Sequence, residues 1–243
     1  MREWTGKRYW LVGASEGLGR AVAEALSHAG AEVIVSARSE AKLRELAQSL
    51  PGPAHAVQVD VSDPASVASA AQQIGQIDGL IYLAGVYWPQ SALDWDPEQV
   101  EMMCDINLTG AARCIGAVLP QFKAAGVGHI VLTGSLSGFR GLPGAIGYCA
   151  SKAGLMSLAE SMYADLRTTK IDVQCINPGF IRTRLTEKND FQMPFIMDPD
   201  QAAKIFVRHM GGKKFKRSFP TLFSWVFRGS QLLPDWLYFR VFS

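Results

Sequence analysis

Short apolar runs alternate with longer stretches of helical periodicity through the first two-thirds of the chain. Residues 9–12, 32–36, 56–59, 80–84, 129–133 and 171–176 are short runs rich in β-branched residues and leucine, and each predicts a strand. Between them, residues 21–30, 42–50, 63–74, 97–125 and 148–168 space their apolar positions as helices do. A strand that alternates apolar and polar residues has one wet face, whereas a continuous apolar strand is covered on both. The expected architecture is therefore α/β: a doubly wound parallel sheet in three α/β/α layers, the Rossmann arrangement. Such sheets bind ligands beyond the carboxyl ends of their strands. All the candidate residues below fall just past such an end or on the helix that follows.

The rest of the composition narrows the class. A chain of 243 residues with 48% apolar and 19% charged positions suits one domain spanning 1–243. A formal charge of +2 gives no reason to expect nucleic acid as a partner. No unbroken stretch approaches the roughly 20 apolar residues of a membrane span. The first apolar run, residues 9–12, is too short for a signal peptide, so the expected location is cytoplasmic. Cys104, Cys114, Cys149 and Cys175 form no CxxC pair and no Cys/His cluster, which predicts reduced thiols and no metal.

GASEGLG joins the first strand to the first helix and carries Gly13, Ser15, Gly17, Leu18 and Gly19. Glycine lets the backbone turn sharply and approach a pyrophosphate, and the helix N-terminus adds amide donors and a favourable dipole. Glycines also serve plain strand-to-helix turns, so the loop by itself is weak. The second strand ends in Ser36, Ala37 and Arg38, followed by Ser39, with no carboxylate before Glu40. An acid there suits the ribose hydroxyl of NAD, while an arginine suits the 2′-phosphate of NADP. NADP(H) is therefore favoured over NAD(H), with a solvated helix-start arginine as the alternative. Glu16, in the glycine loop, pulls against that preference. Asp60 and Val61 follow the third strand; Asp60 could accept from an adenine amino group or cap a helix, although Asp63-Pro64 is the better cap signal.

Tyr148 and Lys152 lie four apart at the start of a helix, on one face. A phenol titrates near pH ~10, and a neighbouring ammonium favours its ionised form. Ser135, after the strand 129–133, is placed to donate to a carbonyl oxygen, with Ser137 as an alternative bearer of that role. Asn107 is an unusual residue for mid-helix and suits either water-holding in a proton relay or a bond to a helix carbonyl. Pro178 and Gly179 follow the sixth strand, where the Ile181 backbone and the Thr183 hydroxyl could hold a carboxamide.

Taken together and in order, GASEGLG, Asp60-Val61, Ala84-Gly85, Asn107 in NLTG, Ser135, YCASK and NPGFIRT resemble the short-chain dehydrogenase/reductase family over roughly residues 5–210. The resemblance implies an Asn107–Ser135–Tyr148–Lys152 tetrad that interconverts a carbonyl and an alcohol. In it Ser135 orients the carbonyl and Tyr148 transfers the proton. Lys152 lowers the tyrosine pKa and binds the nicotinamide ribose, and Asn107 positions a water. The Ala37-Arg38 pair looks like NADP-preferring members, and the family implies a homodimer or homotetramer through the helices that bear Asn107 and Tyr148. One departure stands out: the chain reads Tyr82-Leu83-Ala84-Gly85 where the family usually has NNAG. The cofactor contacts from Ala84 and Gly85 are backbone contacts and need no particular side chain.

Residues 184–198 are expected to form a substrate lid. Phe191, Met193, Phe195, Ile196 and Met197 there suit a hydrophobic substrate of acyl or lipid-like kind, or simply pack the lid onto the core. Tyr87 and Trp88 could line the same cleft. Residues 213–243 form a tail that opens on Lys213, Lys214, Lys216 and Arg217 and turns aromatic, predicting two amphipathic helices broken at Pro234. It fits peripheral attachment at the inner membrane surface, a cover for the cleft or an oligomer interface. The competing functional class is a catalytically silent dinucleotide-binding sensor or scaffold, against which the intact tetrad argues.

Overall fold

The computed structural model describes residues 2–242. Its strands are β1 (Arg8–Val12), β2 (Glu32–Ala37), β3 (Ala54–Gln58), β4 (Gly79–Tyr82), β5 (Gly128–Thr133), β6 (Ile171–Pro178) and β7 (Lys216–Phe219). They form one parallel sheet in the order β3-β2-β1-β4-β5-β6-β7. The order reverses between β1 and β4, the switch point where doubly wound sheets open a crevice. Around the sheet lie α1 (Gly17–His28), α2 (Glu40–Ser49), α3 (Pro64–Ile74), α4 (Pro97–Cys104), α5 (Gly110–Ala125), α6 (Ile146–Leu166) and α7 (Pro199–Met210). The tail adds α8 (Thr221–Ser230) and α9 (Asp235–Phe242).

The pleat explains why the strands read as short apolar runs. Trp10 and Val12 of β1 pack with Ile34, Leu80, Tyr82, Ile130 and Leu132 on one face. Tyr9 and Leu11 turn the other way and pack with Val33, Val35, Ile81 and Val131. Successive side chains point to opposite faces, and here both faces are core. Several polar residues inside the sheet are paired. Trp10 donates to the Ser36 hydroxyl at 2.9 Å. His129 sits between the Tyr9 phenol and Gln174 Oε1, each at 2.9 Å. Gln174 Nε2 donates to three backbone carbonyls, so its oxygen accepts from His129 Nε2 and the histidine is neutral. Burial drives the His129 pKa down to about 3.

Three features add to the sequence expectations, and the two tail helices fall on either side of Pro234 as expected. Ahead of those helices, residues 216–219 form β7 at the sheet edge, paired with β6, a strand the sequence reading did not include. A four-residue polar strand lacks the apolar run that marks its neighbours, so its charges masked it. The helix expected over 97–125 is continuous but widens to a π-turn at Asp105–Thr109, and Asn107 sits inside it. That stretch has the length and apolar composition of a membrane span, yet Ile115, Val118 and Phe122 are buried in the core. Finally, residues 184–198 hold a short 3₁₀ turn at Thr186–Lys188, and Met197 bridges to Ile181. The cap expectation holds: Asp63 accepts from Ala65 N at 2.8 Å, with Pro64 next.

Candidate active site

A cavity of about 860 Å³ opens along the carboxyl ends of the strands, large for a ligand pocket. The glycine loop forms its floor. A Cβ on Gly19 would lie 2.0 Å from the Gly13 carbonyl oxygen, so only glycine lets α1 pack against the end of β1. Gly13 itself has φ +91°, and a Cβ there would meet Ala84 N at 2.4 Å. These are the turn and packing duties of a dinucleotide-binding loop. α1 has no side-chain cap from Glu16, so its first amides face the loop without one. Ser15, Gly17 and Leu18 line the cavity beside them.

At one end stand Arg38, Ser39, Asp60 and Val61. Arg38 and Ser39 are exposed. Ser39 precedes α2 yet spends no side-chain bond on capping it. Asp60 accepts from the Ser62 amide and hydroxyl, which holds its carboxyl below the usual range, and the Arg38 charge pulls the same way. Glu16 is not a bare acid in the loop: its carboxylate pairs with Lys42 at 3.0 Å and with Arg184 at 2.7 Å.

At the other end Ser135, Tyr148 and Lys152 line the cavity with Ala84 and Gly85. α6 carries Tyr148 and Lys152 on one face, and β5 delivers Ser135 just past its end. Ser135 and Ser137 hydroxyls lie 2.8 Å apart, so the two candidates form one pair. Burial pushes the Tyr148 phenol up to about 12, against a lowering hydrogen bond from Ser135. Burial also drives Lys152 down to about 8. The Lys152 ammonium donates to the Thr133 carbonyl at 2.9 Å and lies 5.8 Å from the Tyr148 ring centre. Burial disfavours phenolate and ammonium alike, so it raises Tyr148 while it lowers Lys152.

Asn107 is fully buried and does not itself line the cavity. Its Oδ1 accepts from Val86 N at 2.8 Å, and its Nδ2 donates to Val86 O and to Ser151 Oγ, each at 3.0 Å. Ser151 in turn donates to the Tyr148 carbonyl at 2.9 Å. Asn107 therefore joins the loop after β4 to the helix that carries Tyr148. Sequence reasoning missed Ser151, which lies inside YCASK and carries no distinguishing signal beyond its neighbours.

Pro178, Gly179, Ile181 and Thr183 follow β6 along the cavity wall. Thr186 was also missed: its hydroxyl is 2.7 Å from Ile181 O and accepts from Thr183 N at 3.0 Å, fixing the turn. Residues 184–198 divide by position. Phe191 lines the cavity, whereas Met197 packs against the core. Tyr87 lines the cavity and meets Tyr148 edge-on at 5.0 Å. Trp88 instead lies against residues 184–198, its ring 4.4 Å from the Lys188 ammonium. Phe223 and Phe227 of α8 complete an apolar wall.

With this geometry in place the comparisons are decisive on class. The short chain dehydrogenase family description matches residues 7–193, and the chain belongs to that family. It is an NAD(P)-dependent oxidoreductase with a Rossmann-type fold. An uncharacterized oxidoreductase of Myxococcus xanthus (strain DK1622) is 35% identical and covers 98% of this chain and 97% of its own. The 3-oxoacyl-(acyl-carrier-protein) reductase of Escherichia coli (strain K12) is 31% identical over 86% of this chain and 84% of its own. A short-chain dehydrogenase structure from Streptomyces avermitilis superposes with a TM-score of 0.84 at 26% identity, covering 94% of this chain and 93% of that one.

Proposed function

We propose that the protein is a cytoplasmic NADP-dependent oxidoreductase that interconverts a carbonyl and an alcohol on a hydrophobic substrate, with Tyr148 as the acid/base. The carrying observation is that Ser135, Tyr148 and Lys152 share one cavity with an apolar wall of Tyr87, Phe191, Phe223 and Phe227. The residues fit a dinucleotide: the glycine floor admits close backbone approach, and the Thr133 hydroxyl at the cavity is buried with no protein partner. Arg38 and the unspent Ser39 hydroxyl at the start of α2 suit a 2′-phosphate. Ile181 and Thr183 are the residues to hold the carboxamide, and Lys152 the ribose.

When bound, the reduced nicotinamide supplies the hydride for the new C–H bond. Ser135 donates to the substrate oxygen and stabilises its developing charge. Tyr148, which burial keeps protonated, gives its proton to that oxygen to complete the alcohol. The Lys152 ammonium offsets the charge left on the phenolate, and Asn107 and Ser151 keep α6 and the β4 loop in register with it. An acyl-type substrate draws support from the ketoacyl reductase among the relatives. A homodimer or homotetramer draws support from Met102 on α4 and Tyr163 on α6, both large, apolar and exposed.

The test is fluorescence titration with NADPH and NADH, with turnover on a panel of apolar ketones. Tighter NADPH binding that disappears in Arg38→Ala is expected, with Tyr148→Phe losing roughly 10²–10⁴-fold in turnover while still binding cofactor. Preference for NADH refutes the phosphate assignment. Binding of neither moves the scaffold reading to the front.

A further inference from the structure

The tail helices carry apolar side chains on two faces. In α8, Phe223 and Phe227 turn inward, are buried and wall the cavity. On the opposite face Leu222 is 76% exposed and Trp225 60%. In α9, Tyr238 is buried while Trp236 is 69% exposed, with Phe239 beside it, and Leu232 in the connection is 87% exposed. Among the described residues, seven of the fourteen exposed large hydrophobic side chains fall within residues 222–241. Scattered exposed apolar residues are ordinary, but such a concentration marks an interaction surface.

The face is a fixed platform, not a loose end. Arg140 donates to Ser230 O at 2.7 Å and Leu233 O at 2.8 Å, pairs with Asp235, and lies 3.9 Å over the Tyr238 ring. The Tyr238 phenol donates to Gly141 O at 2.6 Å. Ordering is thus already complete before any partner arrives.

Charge selects the partner. Between residues 219 and 242 the cations are Arg228 and Arg240, and the sole acid, Asp235, is neutralised by Arg140. Arg228 lies 5.0 Å over the exposed Trp225 ring. Tryptophan and arginine together on an apolar face suit the headgroup level of a bilayer. A second copy across a two-fold axis would bring a like-charged face against this one, whereas anionic headgroups offset both arginines.

We propose that α8 and α9 seat the protein on an anionic lipid surface, with α8 standing between the lipid and the cavity so that apolar substrate passes from the bilayer to Tyr148. The passage of substrate rests on the hydrophobic-substrate reading above; the seating does not. Phe195 continues the same surface onto residues 184–198, exposed and 5.5 Å from the Phe223 ring.

The test is co-sedimentation of the full chain with vesicles of phosphatidylcholine alone and of phosphatidylcholine mixed equally with phosphatidylglycerol. No cofactor or substrate is needed, so the result stands apart from the oxidoreductase reading. Binding to the mixed vesicles with a blue shift of tryptophan emission is expected. Arg228→Gln with Arg240→Gln should weaken it roughly tenfold. Trp225→Ser with Trp236→Ser should abolish it at an unchanged thermal midpoint. Wild-type protein left in the supernatant, or the tryptophan variant sedimenting fully, overturns the proposal. Self-association lost in that variant without vesicle binding assigns the face to a second copy and overturns it equally.

Discussion

The Tyr82 phenol donates to the Ile106 carbonyl at 2.5 Å, so the last residue of β4 is tied to the first half of the π-turn that holds Asn107. The tie stands beside the departure from the family's NNAG pattern, and it ties this strand to a neighbouring helix from a position on β4 itself. Both groups are buried, and a Cβ on Gly110 would lie 2.6 Å from the phenol oxygen, so the space admits no substitute donor.

Tyr82→Phe should therefore leave the Ile106 carbonyl unsatisfied at a cost of about 1–3 kcal/mol. For a chain of this size that lowers the melting temperature by several degrees, roughly 2–4 °C per kcal/mol. Thermal unfolding checks it, and an unchanged midpoint would show that the bond contributes nothing net.

Lys152 titrates near 8 in the free protein because burial disfavours its ammonium. Below that pH the charge is present to offset a phenolate at Tyr148; above it the charge is lost. The rate of carbonyl reduction by the free enzyme at low substrate should fall as pH rises through about 8. A profile of kcat/KM against pH that stays flat to pH 9.5, roughly a unit and a half past that point, would exclude Lys152 as the titrating group. The sign for stability is opposite: a lysine depressed in the folded state makes the fold gain stability as pH rises from 8 toward its unfolded value.

Glu16 holds Lys42 and Arg184 at the edge of the proposed phosphate end. All three side chains are substantially exposed, so each pair is worth little in stability. Glu16→Gln removes the acid and frees two cations near Arg38. NADPH binding should tighten relative to NADH by roughly two- to fivefold, measured by parallel titration. A fall in that ratio would mean that Glu16 positions the cations for phosphate instead of competing with it.

Much of the fold and part of the site were legible in order along the chain. Five strands announced themselves because both faces of a central parallel strand are buried, while β3, at one edge and buried only at Val57, showed through its short run at 56–59. β7 stayed hidden because it lies at the edge and its residues are Lys216, Arg217, Ser218 and Phe219. Tyr148 and Lys152 were visible because helical spacing puts them on one face and the motifs around them, in order, resemble one family. Ser151 and Thr186 were not, since a hydroxyl that only orients a backbone carries no signal in its identity.

The sequence by itself pointed to the class of protein through GASEGLG, Ser135, YCASK and NPGFIRT in order, a resemblance that no single motif carries. Only the tertiary structure decided what those groups experience. The Tyr148 and Lys152 pKa values depend on burial among segments far apart in the chain, and so does the commitment of Asn107 to Val86. The same holds for α8, whose alternating apolar residues read equally well as either face. Packing alone turned Phe223 and Phe227 to the cavity and left Trp225 outside, because burial is a property of the whole assembly of elements and not of any one segment.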